Sequence, residues 1–263
     1  MVIPAAARGT AFTPVELDLL ATHAGVRPPF PLRVPSSGRS ADERDALLAS
    51  AAHALCARGL ATERGPVGVA RELVEALRGY RAAVDVVVVG PAGEDCAVAV
   101  VHGDRAVVCR QPRPGGRAGA VHVTPVGATA LGVELAAVVS AVPAAAILPI
   151  TLPPGVVEDA LRLLDDAPDT EATQRCVRDL VRTRGGDPSS VDRLVGLFPA
   201  VTGRGQLGLV LRSGARPVEL SWLDGPRGRV RVDRADSGWI SLNPLRHDEL
   251  LRVLGEAAAV ARA

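Results

Sequence analysis

The sequence predicts an α/β protein of the α+β type, with a central antiparallel sheet flanked by N- and C-terminal helical bundles. Three observations predict this class. Capped helices precede runs of β-branched residues in both halves of the 263-residue chain, and short turns separate these runs as in hairpins. The same order of elements then occurs a second time. With 48% hydrophobic residues, the chain is long and apolar enough to bury a sizeable core.

In the first half, two helix starts carry the capping-box pattern, Thr13 to Glu16 and Ser40 to Glu43. The predicted helices cover 14–24, 44–58 and 67–78, and a proline-rich segment separates the first two. The predicted strands cover 84–89, 96–101, 105–111 and 120–123. A loop over 112–119 and an apolar helix running to about residue 142 complete this half.

In the second half, an extended segment covers 147–152, and helices are predicted over 154–165, 170–184 and 189–198. Strands are predicted over 206–212, 217–223, 228–233 and 239–242. A closing helix is predicted over 246–261.

The two halves share a local pattern. Val121 to Pro125 ends a strand, with Leu131 six residues beyond the proline; Ile240 to Pro244 and Leu250 repeat this arrangement 119 residues later. A half-sheet of four strands is hard to close alone. We therefore expect one integrated domain of two pseudo-repeats, 1–143 and 144–263, related by a pseudo-twofold axis. Two independent α+β domains joined near 143–153 are the alternative.

Composition argues against several functional classes. The net charge is +1, all 30 basic residues are arginines, and aromatic residues make up 2% of the chain. Nucleic acid binding requires a concentrated basic surface or aromatic stacking platforms. We expect neither feature here and therefore no nucleic acid partner. The four cysteines show no paired spacing, which favours a reduced, cytoplasmic protein. The start of the chain resembles no signal peptide, and Glu134 and Pro143 interrupt the longest apolar run, so no membrane insertion is expected.

The stretch Gly203–Gly208 reads GRGQLG and fits the G-x-G-x-x-G dinucleotide fingerprint. In a Rossmann unit this fingerprint follows a strand and opens a helix. Here a predicted helix ending at Phe198 precedes it and a predicted strand follows. We expect the glycines to bend the chain into that strand, with Gly208 at a bulge or a close backbone approach. A nucleotide-binding regulator or enzyme that uses this turn remains the alternative function.

No pattern predicts a catalytic or metal site, and no cofactor is expected. The five histidines lie far apart in sequence, and solvation explains Asp165, Asp166 and Asp169 better than metal binding does. Arg110, Arg113 and Arg117 form a basic loop that could meet an acidic partner. A solvated loop is the simpler interpretation.

The segment 201–244 resembles the EspG family of type VII (ESX) secretion chaperones. The resemblance lies in a glycine-rich turn at Gly205-Gln206, a strand ending in Trp222 and Asp224, a Gly228-Arg229 strand start, Trp239, and Pro244 before a helix. At the N-terminus, FTPVEL and Ala57 to Leu60 also match, so the resemblance covers nearly the whole chain. It implies the same pseudo-twofold fold with a central antiparallel sheet.

The resemblance also implies a function. EspG proteins are cytosolic, non-enzymatic chaperones that bind PE–PPE heterodimers and keep them soluble for export. The expected partners here are PE–PPE-like or WXG-type secreted proteins, and a homodimer is left open. The candidate partner-binding residues are Arg204, Gln206, Asp224, Arg227 and Arg229. The short segment 90–95 departs from mycobacterial members, in which the loop at this place helps to hold the substrate.

The motif residues also admit a purely structural interpretation. Trp222 alternates with Val218 and Leu220, which predicts that it packs in the core. Arg229 and Arg231 are then expected on the other face, with Glu219 and Ser221, where cross-strand charge pairing would explain them.

Overall fold

A computed structural model describes residues 9–116, 118–166, 170–195 and 201–263. Its helices are α1 Pro14–Ala24, α2 Ala41–Ala57, α3 Gly68–Gly79, α4 Leu131–Ala136, α5 Val156–Asp166, α6 Thr170–Thr183, α7 Ser189–Val195 and α8 His247–Arg262. Its strands are β1 Thr10–Phe12, β2 Ala61–Thr62, β3 Gly65–Pro66, β4 Ala82–Gly90, β5 Gly93–His102, β6 Arg105–Arg113, β7 Val121–Gly127, β8 Ile150–Leu152, β9 Gly203–Leu211, β10 Val218–Gly225, β11 Gly228–Arg234 and β12 Ile240–Pro244. The fold is therefore mixed α/β, with a large antiparallel sheet and flanking helices, as predicted.

The first predicted helix start is confirmed in full. The Thr13 hydroxyl accepts the Glu16 amide at 3.2 Å, and the Thr13 amide donates to Glu16 Oε2 at 2.8 Å. Gly25 ends α1 in the left-handed region, at φ 70°. At α2, the Ser40 hydroxyl accepts a hydrogen bond from the Glu43 amide. The Glu43 carboxylate accepts one from the amide of Arg39 instead of the amide of Ser40. This second capping box is therefore only half formed.

The chain divides into two compact units. Unit 1 comprises residues 1–140, 206–219 and 251–263, and unit 2 comprises residues 141–205 and 220–250. In sequence order, helices precede four strands and a closing helix in each half of the chain, as expected from the repeat. The division into pseudo-repeats at 143/144 stays a prediction.

Unit 1 is built on the strand order β1-β7-β6-β5-β4, in which every neighbouring pair is antiparallel, and β9 lies next to β4. One face of these strands packs against α1, α2 and α3 around a core that includes Phe12, Leu73, Val98 and Cys109. The short α4 packs on β5 and β6.

A buried side-chain amide helps to hold the proline-rich segment of unit 1. Gln111 is fully buried, and its Oε1 accepts the Arg33 amide at 2.8 Å. Its Nε2 donates to the carbonyls of Arg33 and Gly119 at 3.0 and 3.2 Å. Two of these three hydrogen bonds go to Arg33 in the segment that links α1 to α2, and the third goes to Gly119 in the loop before β7.

Unit 2 contains the antiparallel order β10-β11-β12-β8. Its core cluster is made of aliphatic residues from β8, β11, β12 and the helices α5–α7, with Ile150, Val181 and Val230 fully buried at its centre. The predicted helix over 189–198 is described as far as Val195, and the rest of that prediction lies outside the described residues.

The predicted helix after β7 is wrong in length, because α4 ends at Ala136 rather than near residue 142. Beyond it, the amides of Val138 and Val139 turn back to carbonyls three residues earlier. The β-branched valines there lower helix propensity. The backbone of Pro143 and Ala145 bonds to the backbone of Arg229 instead of continuing a helix.

Several strand bounds also differ from prediction. β7 continues through Pro125 to Gly127, because β1 pairs only with Val121–Val123 and an edge tolerates a missing N–H. β4 and β5 extend to Gly90 and Gly93, so the expected loop over 90–95 is reduced to a turn at residues 91 and 92. β1, β2 and β3 were not predicted, since segments of two or three residues carry too little periodicity.

Asp85 is a carboxylic acid placed inside the sheet of unit 1. It lies on β4 opposite Val98, is 1% exposed, and its Oδ1 has no hydrogen-bond partner among the described residues. Burial raises its pKa from 3.8 to about 7; the nearby Arg216 opposes this shift and Glu219 adds to it. Gly208 makes room for the carboxylate, since a Cβ there would lie 2.9 Å from both Asp85 Oδ2 and Arg216 Nη2. The groups that approach Gly208 are side chains, not the bulge or the close backbone approach expected from the sequence.

The pKa of Asp85 predicts a pH-dependent stability. A carboxyl whose folded pKa is raised stabilises the fold fully below its unfolded pKa, 3.8, and that contribution is lost as pH rises towards about 7. The loss is at most about 1.4 kcal/mol per pH unit. Asp85→Asn removes this titration. As pH rises from 4 to 7, the free energy of unfolding of the variant should therefore increase relative to that of the parent protein. Denaturant unfolding at several pH values measures this. The exposed Asp104→Asn is the control, and parallel curves for Asp85→Asn and the parent would contradict the prediction.

Candidate functional site

The β10–β11 hairpin carries most of the residues that the sequence singled out. Gly225 pairs with Gly228 around a tight turn, which places Asp224 opposite Arg229 and Trp222 opposite Arg231. Residues directly opposite each other share a face of the sheet. Arg229 and Arg231 therefore lie on the face of Trp222, and the prediction that they share a face with Glu219 and Ser221 is wrong.

Arg229 lies at the centre of a buried cluster. Its side chain is 1% exposed and donates from Nε and Nη2 to the two carboxylate oxygens of Asp224, at 2.6 and 2.9 Å. Its guanidinium carbon lies 5.2 Å from the centroid of the buried Trp222 ring. A bidentate carboxylate and an aromatic face are the two partners that suit a desolvated guanidinium best. The cross-strand pairing expected for Arg229 is thus present, although on the other face of the sheet.

The cluster keeps two donors without acceptors. Trp222 Nε1 and Arg229 Nη1 are buried and have no hydrogen-bond partner within the described ranges. An unmade bond at a buried donor costs about 1–3 kcal/mol. The ion pair with Asp224 and the contact with the Trp222 ring are therefore made at the cost of these two unmade hydrogen bonds.

Gly205 belongs to the same cluster. A Cβ at this position would overlap the six-membered ring of Trp222. Gly203, Gly205 and Gly208 all lie within strand β9, so the glycines form part of the strand rather than the expected bend before it. No helix begins directly after Gly203–Gly208, because strand β9 continues to Leu211. The stretch therefore does not form a phosphate-binding loop.

The backbone around Arg229 joins the hairpin to the segment after α4. The Arg229 amide donates to the Pro143 carbonyl at 2.8 Å, and the Arg229 carbonyl accepts the amides of Ala145 and Leu245 at 2.9 and 3.0 Å. Gly228 has φ 112°, and a Cβ there would lie 2.6 Å from the Pro143 carbonyl oxygen. This close approach explains why glycine precedes Arg229.

The five candidate partner-binding residues occupy different environments. Arg204 and Arg227 are exposed and have no ion-pair partner in the part of the chain that the structure describes. Gln206 and Asp224 are half-buried, and Arg229 is fully buried. The structure brings Asp224 and Arg229 together and places Arg227 at the tip of their hairpin. Their role in partner binding stays a prediction.

Sequence reasoning missed the stacking of Arg229 on Trp222. The register of the hairpin could have revealed it, because a two-residue turn between Gly225 and Gly228 fixes which residues share a face. The contact between Gly205 and the Trp222 ring had no sequence signal, since it depends on where the indole lies on the sheet.

The expected basic loop is largely neutralised within unit 1. Arg110 donates from Nε to both oxygens of Asp95 at 3.1 and 3.2 Å, and the fully buried Arg113 pairs with Glu94. Arg117 lies outside the described residues. The described residues contain no group of histidine, cysteine or acidic side chains that could hold a metal ion. They also contain no helix long and apolar enough to cross a membrane.

Comparison with known families identifies the fold and its relatives. The model of the EspG family matches residues 13–256, which is most of the chain. The chain belongs to the EspG family. The match takes in the Thr13 helix cap at one end and α8 almost to its last turn at the other, so it covers both units.

A solved structure agrees with this assignment. The chain resembles the Mycobacterium tuberculosis type VII secretion system chaperone EspG5, solved in complex with a PE25–PPE41 dimer, with a TM-score of 0.62 over 95% of each chain. The two sequences are 14% identical, so the likeness establishes a shared fold. Comparison with curated proteins gave no significant match.

The contact between Gly205 and Trp222 predicts a large effect of a small substitution. Gly205→Ala forces the indole away from its place, and overpacking of this kind costs on the order of 1–3 kcal/mol. Urea unfolding measures the loss. Gly90→Ala is the matched control, because a Cβ there meets nothing within 4 Å, and it should change stability by less than about 0.5 kcal/mol. Equal effects at the two positions would show that the ring contact is not restrictive.

The Asp224–Arg229 pair predicts a second difference. Asp224→Asn leaves a buried guanidinium without its counter-charge, which costs about 3–5 kcal/mol. Asp233→Asn removes one of the two carboxylate partners of the part-exposed Arg231 on the same hairpin and should cost at most about 1 kcal/mol. Thermal or denaturant unfolding of both variants compares them directly. A loss at Asp224 no greater than that at Asp233 would rule out a stabilising role for the buried pair.

Proposed function

We propose that this chain is a cytosolic, non-enzymatic chaperone of a type VII secretion system. It binds a PE–PPE-like helical-hairpin heterodimer and keeps it soluble until export. The observation that carries the proposal is membership of the EspG family over residues 13–256. The fold shared with EspG5, a chaperone solved with a PE25–PPE41 dimer, supports it.

The chemistry of the surface is compatible with such a role. A helical bundle with an apolar end aggregates unless another surface covers that end. The described residues expose several large apolar side chains, among them Phe30, Val133 and Leu148, which are 57%, 74% and 68% exposed. The net charge of +1 supplies no strong attraction to nucleic acid, so recognition of a protein partner rests on apolar contact and local charge.

We further propose that the β10–β11 hairpin contributes to partner contact. Arg204 and Arg227 are exposed cations without an ion-pair partner in the described part of unit 2, and they suit carboxylates on a partner. The hydrogen bonds between Asp224 and Arg229 fix the shape of the hairpin that carries Arg227. Gln206, half-buried on β9, completes the predicted set. Unchanged substrate affinity on charge reversal at both Arg204 and Arg227 would remove these two from the contact set.

Co-expression tests the function directly. The chain, expressed with PE–PPE-like pairs encoded in the same genome, should co-elute with at least one pair on size-exclusion chromatography and raise the soluble yield of that pair. An unrelated helical heterodimer of similar size is the control and should elute separately. Co-elution with a WXG-type protein alone would shift the substrate class.

Two further outcomes limit the proposal. If no pair and no WXG-type protein co-elutes, the chaperone function is wrong. Thermal shift against nucleotides addresses the glycine-rich stretch, since a ligand at 100 times its dissociation constant stabilises a protein by about 2.7 kcal/mol. A shift of that size would favour a nucleotide-binding role over the chaperone role.

A further inference from the structure

The turn between β9 and β10, residues 212–217, carries an accessible ion pair close to a buried acid. Arg216 donates from Nε to Glu219 Oε1, and the two side chains are 37% and 55% exposed. Asp85 lies on the neighbouring strand β4, is 1% exposed, and its Oδ1 has no hydrogen-bond partner among the described residues. Unit 1 therefore holds a paired carboxylate in water and an unpaired carboxyl group inside the sheet, on adjacent strands.

Gly208 leaves a space that the buried acid and the guanidinium share. A Cβ at this position would lie 2.9 Å from both Asp85 Oδ2 and Arg216 Nη2, and 3.2 Å from Asp85 Oδ1. Arg216 reaches this space with Nη2 while its Nε remains on Glu219. One guanidinium thus lies between two carboxyl groups, with no side chain on Gly208 to separate it from the buried one.

The neighbours of Asp85 in the sheet carry no charge. The residue opposite it on β5 is Val98, and Gly208 approaches it from β9. Burial raises the pKa of Asp85 to about 7; the charge of Arg216 opposes this rise, and that of Glu219 adds to it. Within the described residues, the ion pair on the β9–β10 turn therefore supplies the charges that act on the buried acid.

The helices that pack on the same face of the sheet do not compete for this role. Val98 belongs to the core that α1 and α3 cover, and residues directly opposite each other share a face, so Asp85 lies on that side. The carboxylates and guanidinium groups of these two helices have other partners: Glu16 with Arg58, Asp18 with Arg44, Arg71 with Glu75, Glu72 with Arg105, and Arg78 with the His23 carbonyl.

The gain that Arg216 obtains from each carboxyl group depends on pH. While Asp85 is protonated, Glu219 is the charged partner. A buried carboxylate is costly without a counter-charge, whereas an exposed one is solvated by water. Coulomb attraction is also stronger inside a protein than at its surface. Once Asp85 is ionised, the guanidinium therefore gains more from Asp85 than from Glu219.

We propose that Arg216 changes partner, from the exposed Glu219 to the buried Asp85, when Asp85 releases its proton to water. The guanidinium enters the space beside Gly208 and leaves the Glu219 carboxylate free in solvent. The β9–β10 turn then presents a neutral ion pair at low pH and a single negative charge at higher pH. A titration inside the sheet thereby changes the surface of unit 1. This inference concerns the chain alone and does not depend on the proposed chaperone function.

Two double-mutant cycles, measured by urea unfolding at pH 5 and at pH 8.5, test the exchange. One cycle combines Asp85→Asn with Arg216→Gln, and the other combines Arg216→Gln with Glu219→Gln. The coupling of Asp85 with Arg216 should change the unfolding equilibrium constant less than about twofold at pH 5 and at least about tenfold at pH 8.5. The coupling of Arg216 with Glu219 should be about two- to fivefold at pH 5 and should vanish at pH 8.5. Histidine titration is common to all members of a cycle and cancels.

An NMR titration of the side-chain carboxyl carbons gives a second readout. Arg216→Gln should raise the pKa of Asp85 above that of the parent, because it removes the charge that favours the ionised form. Glu219→Gln should lower this pKa, because it removes a negative charge and releases Arg216. Asp104→Asn, at an exposed carboxyl group, is the control and should leave both couplings and the pKa of Asp85 unchanged.

The coupling of Arg216 with Glu219 decides the outcome. If this coupling is the same at both pH values, the exchange is wrong, even where Arg216→Gln raises the pKa of Asp85, because Arg216 then acts only as a fixed nearby charge. A coupling of Asp85 with Arg216 that stays below about twofold at pH 8.5 also overturns it. If Asp85→Asn fails to fold, the cycle of Arg216 with Glu219 decides alone. None of these results bears on co-elution with a PE–PPE-like pair, so the chaperone proposal is tested separately.

Discussion

The burial of the Arg229 guanidinium is the physical constraint on which unit 2 depends most. A buried guanidinium must keep its charge compensated and its donors engaged, and Asp224 and the Trp222 ring meet most of that need. Both partners lie on the same hairpin, so the charge fixes the register of β10 against β11. The absence of a side chain at Gly205 is a consequence, because the indole occupies that space.

The same residue organises the chain around it through its backbone. Its amide and carbonyl hold Pro143, Ala145 and Leu245, three residues that come from two distant stretches of sequence. Gly228 allows these stretches to come close. The family motif from Trp222 to Arg229 therefore has a structural role, which is to fix the β10–β11 hairpin. The exposed Arg227 lies at the turn of the hairpin that this pairing fixes.

Unit 1 uses related chemistry at other positions. Arg113 is buried against Glu94, Arg110 chelates Asp95, and Gln111 between them binds the proline-rich segment. The chain has no lysine, so arginine guanidinium groups supply its permanently positive side chains. Arg110 bonds to both carboxylate oxygens of Asp95, which fixes the geometry of that pair. The buried Asp85 is the exception: its Oδ1 has no hydrogen-bond partner in the described part of the chain, and burial raises its pKa.

The sequence by itself determined the order of the longer helices and strands, the fold class, the cap at Thr13 and the family, because caps, alternation and turn glycines are local signals within a few residues. It also located the Trp222–Arg229 motif. Only the tertiary structure decided which face Arg229 occupies, where α4 ends, why Gly205 has no side chain, and that Asp85 and Arg216 both approach Gly208. Each of these depends on register or on contact between residues far apart in the chain. A shift of one residue in a strand reverses its faces while leaving the hydrophobic pattern of the sequence unchanged.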